Sequence, residues 1–298
     1  MEKEKNKVAF VSVLAAIFLT TFKLVIGLIT GSLGILSEAL HSGLDLVAAI
    51  ITLFAVKVSN KPSDEDHHYG HGKIENFSAL IETLLLFVTC FWIIYEATHR
   101  IVSGKGLELT TTETIFSLLV VTTSIVIDVW RSRKLLKVAK KYKSQALEAD
   151  ALHFSTDVWS SSVVLIGIVC VKIYEWTNLQ VFFYADSVAA LIVAVIVVHV
   201  CWSLGKKAID ALLDKAPVKE SKDIREIIKN FPEVIKFHDL RIRNSGHLLF
   251  VEATIHVDPT LCLIESHLIS DNLERKIIEY DEYAMVSIHV EPDLHNKK

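Results

Sequence analysis

Apolar residues in this chain run in long blocks rather than in the narrow stripes of a soluble helix. A helix needs about 20 apolar residues to cross a hydrocarbon core of about 30 Å. Six blocks meet that length, at roughly 8–30, 33–57, 78–101, 113–130, 146–174 and 184–205. Only Gly31 and Ser32 separate the first two, which predicts a tight antiparallel hairpin. After residue 205 the pattern changes. Asp223–Phe231 has helical spacing at Ile224, Ile227, Ile228 and Phe231, and Pro232 ends it. Val234–Arg243 and Leu248–Val257 alternate as strands around a Ser245-Gly246 turn, and Pro259 stops the second. Ser266–Tyr280 is helical again, with Leu268, Ile269, Leu273, Ile277 and Ile278 on one face, and Met285–Val290 is a last strand. The expected fold is a membrane α-helical domain of six transmembrane helices, residues 1–205. A small α+β domain of order α-β-β-α-β, metallochaperone-like, follows over residues 206–298.

Composition supports the division. The chain is 51% hydrophobic with a mean hydropathy of +0.41, too apolar for an ordinary soluble domain. Charge is denser in the tail: residues 1–205 carry 17 basic and 18 acidic side chains, residues 206–298 carry 14 and 17. A net charge of −4 leaves no nucleic-acid footprint. The four cysteines, Cys90, Cys170, Cys201 and Cys262, lie far apart and read as free thiols. The apolar run after Met1–Lys7 is too long for a signal-peptide core. Seven Lys and Arg in RSRKLLKVAKKYKSQ follow the fourth block, and Lys3, Lys5 and Lys7 precede the first. Basic loops stay inside, so both termini and the tail are expected in the cytoplasm.

Ionisable residues inside a membrane are costly and call for a reason. Two blocks carry the same device: His41 and Asp45 in the second, His153 and Asp157 in the fifth. Each pair is spaced i, i+4 and shares one helix face. At 1.5 Å per residue the first pair lies roughly 12 and 18 Å below one end of its helix, the second roughly 10 and 16 Å above the other. The two levels coincide in antiparallel helices, so the four side chains can converge. Two imidazoles and two carboxylates form a tetrahedral set that suits Zn²⁺, and the carboxylates neutralise its charge. Protons compete for the same groups. The alternative is a pair of intrahelical His–Asp bonds serving structure. Glu38 reads as a helix-end polar residue, Lys23 as a snorkelling one, and Glu82 and Asp128 as residues that pair or face water near helix ends. His199 reads as a packing residue.

Four segments, in this order and spacing, resemble the cation diffusion facilitator family, close to its bacterial zinc and ferrous-iron efflux branch. They are GSLGILSEALHSGLD, DHHYGHGKIEN, LHFSTDVWSS and HDLRIR, spread over nearly the whole chain. The resemblance implies proton-coupled efflux of a divalent metal by alternating access in a homodimer. It implies a transport site at His41, Asp45, His153 and Asp157, in the two-His two-Asp version that leans towards zinc. His67 and His71 match the family's loop site, with Asp64 as its carboxylate. His68, between them, is a competing ligand. Lys73 matches a lysine of a charge interlock, with Asp214 as its partner. His238, His256, His267, His289 and Glu291 match a cytoplasmic binuclear site, with Glu where close members have Asp. His247 and His295 have no such match and read as solvated.

The expected function is therefore a proton-coupled antiporter that exports a divalent metal and is regulated by metal in the tail. Its partners are metal ions, protons, the bilayer and a second copy of the chain. Zn²⁺ fits the ligands best, although Fe²⁺, Cd²⁺, Co²⁺ and Ni²⁺ could use them. A bacterial inner membrane is the expected location. Two rivals remain. One is a non-transporting membrane-bound metal sensor or scaffold. The other is an intramembrane metalloprotease, for which H-E-x-x-H would be needed and is missing from the sequence. No enzymatic activity is expected.

Overall fold

The structure, a computed structural model, describes residues 2–103, 111–177 and 185–294. Lys105 and His295 lie outside the described residues. The chain divides into two compact units, residues 1–208 and 209–298.

The first unit is built from six long helices: α1 (Glu2–Thr30), α2 (Leu33–Ser59), α3 (Lys73–Ser103), α4 (Thr111–Tyr142), α5 (Gln145–Thr177) and α6 (Ala185–Leu212), the last running on into the second unit. Among the described residues, all but α5 are long and apolar enough to cross a membrane. α5 has 33 residues, ample length, but Glu148, Asp150, His153 and Asp157 lower the hydropathy of its first half. The α1–α2 hairpin forms as expected. Gly31 takes φ +66°, a left-handed conformation that suits glycine, and the Ser32 hydroxyl accepts the Ile35 N–H to cap α2.

α1, α2, α4 and α5 share one core, in which Ala9, Ala16, Ala49, Ala55, Ala139 and Ala151 let the backbones approach closely. α3 meets α6 through Leu86, Cys90, Val197 and Cys201. Phe10, Phe18, Phe91, Trp92, Ile196 and Trp202 face outwards, as a lipid-facing surface requires. All four cysteines are free thiols.

Several readings change. The basic stretch after the fourth block is not a loop. α4 continues through it to Tyr142 because Leu135, Val138, Ala139 and Tyr142 recur at helical spacing and are buried. Lys23 does not snorkel; it is buried, with its Nζ 3.2 Å from Glu38. His199 is not packed inside but exposed on α6.

The second unit contains α7 (Val218–Lys229), β1 (Lys236–Ser245), β2 (Leu248–Val257), α8 (Leu263–Tyr280) and β3 (Ala284–Pro292). β2 is central, antiparallel to β1 and parallel to β3. Leu249, Val251, Ala253, Ile255 and Val257 alternate onto one face of β2 and pack against Ile224, Ile228, Leu273 and Ile277 of the helices. Leu273 is completely buried, so Leu273→Ala is expected to destabilise this unit by about 2–5 kcal/mol. Denaturant unfolding measures this; an unchanged midpoint would contradict the packing. His247, expected in solvent, is buried instead, with its ring edge-on to Tyr283 at 5.6 Å.

Candidate functional site

α2 and α5 bring the two His–Asp pairs together inside the first unit. His153 Nε2 lies 3.2 Å from Asp45 Oδ1 and 3.6 Å from Asp157 Oδ2. His41 Nε2 lies 4.0 Å from Asp45 and 3.9 Å from Asp157. Each imidazole therefore faces both carboxylates, one from its own helix and one from the other. Ligand atoms of Asp45, His153 and Asp157 all fall within 4.8 Å of one another. His153 is buried and packs edge-on against Phe154, whose ring carries the Arg131 guanidinium carbon 3.4 Å from its centroid. Asp157 Oδ2 and His153 Nδ1 have no hydrogen-bond partner among the described residues. A carboxylate oxygen that accepts no hydrogen bond in such surroundings is a strong ligand atom for a cation. The cluster is two imidazoles and two carboxylates in contact across two helices, which suits Zn²⁺ or another divalent transition metal.

The loop between α2 and α3 holds a second group. His67 Nδ1 is 3.2 Å and His71 Nε2 3.4 Å from the two oxygens of Asp64, and the two rings lie 4.3 Å apart. The backbone N–H of His67 donates to Asp64 at 2.7 Å and, with the His67 ring, holds that carboxyl below the usual carboxylate range. Asp64 is thus ionised at neutral pH and ready for a cation. Both Asp64 and His67 are more than half exposed, so water competes with any ion held here. Lys73 opens α3 beyond this loop. Asp214 lies in the second unit, 3.4 Å from Arg243.

A third group forms on the sheet face away from the helices. Register aligns His238 and His289 with Thr254, and Glu291 with His256. His256 Nε2 is 3.2 Å from His238 Nδ1 and 3.6 Å from Glu291, and His289 is 3.7 Å from the other Glu291 oxygen. A break in register follows His238, where Asp239 takes φ 50°. His267 is not brought into this group. It sits on α8, whose apolar side covers the opposite face of the sheet, and meets Asp271 at 3.7 Å. His256→Ala is expected to abolish high-affinity metal binding by the tail, because His256 is the member that touches both His238 and Glu291. Calorimetric titration measures it; full retention of binding would contradict the grouping.

Sequence reasoning missed Glu75 and Asp150, and it placed Glu82 at a helix end in water or in a pair, whereas Glu82 is fully buried against Thr52. Glu75, Glu82 and Asp150 are all completely buried in the first unit. Their only signal in the sequence is a spacing of seven residues along α3 and from Asp150 to Asp157 along α5.

Two family domains match this chain. Residues 9–213 match the cation efflux transmembrane domain, and residues 216–293 match the cytoplasmic domain of cation efflux proteins. The chain is 31% identical over 304 aligned positions to a cation-efflux pump of Serratia proteamaculans, covering 98% of this chain and 95% of the relative. It is 34% identical over 275 positions to the magnetosome protein MamB of a Magnetospira strain, covering 92% and 90%. The metal-bound C-terminal domain of a transporter from Thermotoga maritima is 29% identical, covering 27% of this chain and 94% of that domain with a TM-score of 0.25. With a bundle of membrane-length helices, a three-stranded tail and both family domains matched in order, this chain belongs to the cation diffusion facilitator family and is a cation efflux transporter.

Proposed function

We propose that the protein exports a divalent transition metal, Zn²⁺ above all, from the cytoplasm in exchange for protons. The observation that carries this reading is the convergence of His41, Asp45, His153 and Asp157 from two helices, with each imidazole within 4.0 Å of both carboxylates. Two carboxylates compensate a doubly charged ion where water is scarce, and two imidazoles favour zinc over magnesium or calcium. The same four groups bind protons when the ion leaves, so metal and protons exclude one another. Alternating exposure of this one site to the two faces of the membrane then gives exchange. No step of this cycle needs catalysis, and we assign the protein no enzymatic activity.

The tail, residues 206–298, is the regulatory and dimerisation domain in this reading. His238, His256, His289 and Glu291 bind metal on the open sheet face. His267, on the other side of the sheet, joins a metal site only from a second copy of the chain. Metal then clamps a homodimer. Regulation follows only if tail affinity differs between the transport states. Asp64, His67 and His71 form a weaker loop site. Basic residues near the helix ends support a cytoplasmic location for both termini, and the relatives favour a bacterial inner membrane.

The test is metal flux into proteoliposomes under an imposed pH gradient, with Zn²⁺, Fe²⁺, Mn²⁺ and Cd²⁺ compared. Zinc flux that follows the proton gradient is expected. No flux for any metal, with the tail still binding zinc, would instead support a membrane-bound metal sensor.

A further inference from the structure

Below the four-residue metal cluster the interior of the first unit stays polar, in two further levels set seven residues apart. On α2, Asp45 is followed by Thr52 and Ser59; on α5, Asp157 is preceded by Asp150; on α3, Glu82 is preceded by Glu75; on α1, Ser12 is preceded by Lys5. Seven residues are two helical turns, about 10 Å along the axis, so each series returns to the same face. All of these side chains are buried except Asp157, which is partly so.

The outermost level is fully paired. Lys5 Nζ is 2.6 Å from Glu75 Oε1, Ser59 Oγ donates to the same oxygen at 2.9 Å, and Ser144 Oγ donates to Oε2. The middle level is not. The Thr52 hydroxyl donates to Glu82 Oε1, and Ser12 Oγ donates to Asp150 Oδ2 at 3.3 Å. Glu82 Oε2 and Asp150 Oδ1 have no hydrogen-bond partner among the described residues, although both side chains are 0% exposed. The two carboxylates are electrostatic neighbours. Arg131 is an electrostatic neighbour of Asp150, but its guanidinium bonds Asp128 at 3.2 Å and Ser12 at 3.1 Å instead. Two buried acids, Asp128 and Asp150, therefore share one guanidinium, and Glu82 adds a further carboxyl beside Asp150, in a low-dielectric interior where an uncompensated charge is very costly.

We propose that Glu82, Asp150 and Thr52 form a second cation site, a station for the divalent metal about 10 Å from the transport site, on the side of the Lys5–Glu75 pair. The proposal rests on the function proposed above, in which that side is cytoplasmic. The chemistry fits a stop on the way. Carboxylate and hydroxyl oxygens hold a transition metal more loosely than a set with two imidazoles. An ion therefore moves downhill from the station to His41, Asp45, His153 and Asp157. The buried Lys5–Glu75 pair lies one level beyond the station, away from the transport site.

The experiment is equilibrium dialysis of the full chain in nanodiscs against radioactive zinc, beside proteoliposome flux. The E82Q/D150N variant is expected to bind one zinc fewer per chain than the parent and to lose roughly tenfold in flux at low zinc. Adding D45A/D157A to it should remove one more. Thr52→Val removes one oxygen and no charge, so it tests the site even if the acid variant fails to fold. It is expected to weaken the loosest zinc equivalent roughly tenfold. Zinc stoichiometry unchanged in E82Q/D150N would show that protons alone neutralise the pair, and would overturn the station; so would unchanged affinity in Thr52→Val. A parent that binds the station's zinc yet moves none across the membrane would overturn the transport reading and leave the site standing.

Discussion

Replacing Asp157 by alanine is expected to cut zinc flux in proteoliposomes by two to three powers of ten while leaving the protein folded. Asp157 faces both imidazoles of the cluster, His153 at 3.6 Å and His41 at 3.9 Å. Its loss removes one of the two negative charges that offset the ion. Truncating one partner of a buried charged group costs about 3–5 kcal/mol, and about 1.4 kcal/mol is a factor of ten in affinity. The free protein should tolerate the change better than the loaded one. Without metal, Asp157 has no doubly charged ion to offset, so its loss removes less. Asp157→Asn, with the same shape and no charge, separates charge from packing: it should transport as poorly and unfold at the parent's temperature. Flux equal to the parent's in both variants would remove the cluster from the mechanism.

A second large effect is expected at the Lys5–Glu75 pair. Both side chains are completely buried and their charged atoms are 2.6 Å apart. Lys5→Met leaves the Glu75 carboxylate with only the Ser59 and Ser144 hydroxyls, and Glu75→Gln leaves a buried ammonium. Each single change should destabilise the first unit by about 3–5 kcal/mol, because it strands a charge in a medium that cannot solvate it. The double variant Lys5→Met/Glu75→Gln strands neither and should recover most of the loss. Thermal unfolding of the detergent-solubilised protein reads all three. Equal losses in the singles and the double would mean that packing, not charge compensation, sets their contribution. The pair ties α1 to α3, while Ser59 and Ser144 bring in the ends of α2 and α5. A variant that survives should therefore also change the balance between transport states, visible as altered zinc dependence of flux.

Much of the candidate site is legible in the sequence, because it rests on local periodicity. His41 with Asp45, and His153 with Asp157, are pairs of neighbours on one helix turn. A bilayer of known thickness restricts the depth at which two antiparallel helices can bring such pairs together. Likewise the tail strands are marked by alternation, and Leu248–Val257 begins and ends where the alternation does. Less was legible where one pattern was hidden under another. The basic residues from Arg131 to Tyr142 read as a loop, yet four apolar residues at helical spacing keep α4 going. Charge density told where that segment meets water, not what its backbone does there.

The sequence by itself determined which segments are long and apolar enough to enter a membrane, which side chains carry metal-ligand chemistry, and the order of elements in the tail. Each of these depends on residues close together in the chain, so spacing alone carries it. Only the tertiary structure decided which buried charges meet. Lys5 finds Glu75 seventy residues away, Lys23 finds Glu38 across the α1–α2 hairpin, and His267 stays with Asp271 while the four other tail residues gather on the opposite sheet face. A helix advertises what lies on each of its faces. Which face meets which neighbour is set by how all the helices pack at once, and it is that packing that leaves Glu82 and Asp150 with oxygens unsatisfied.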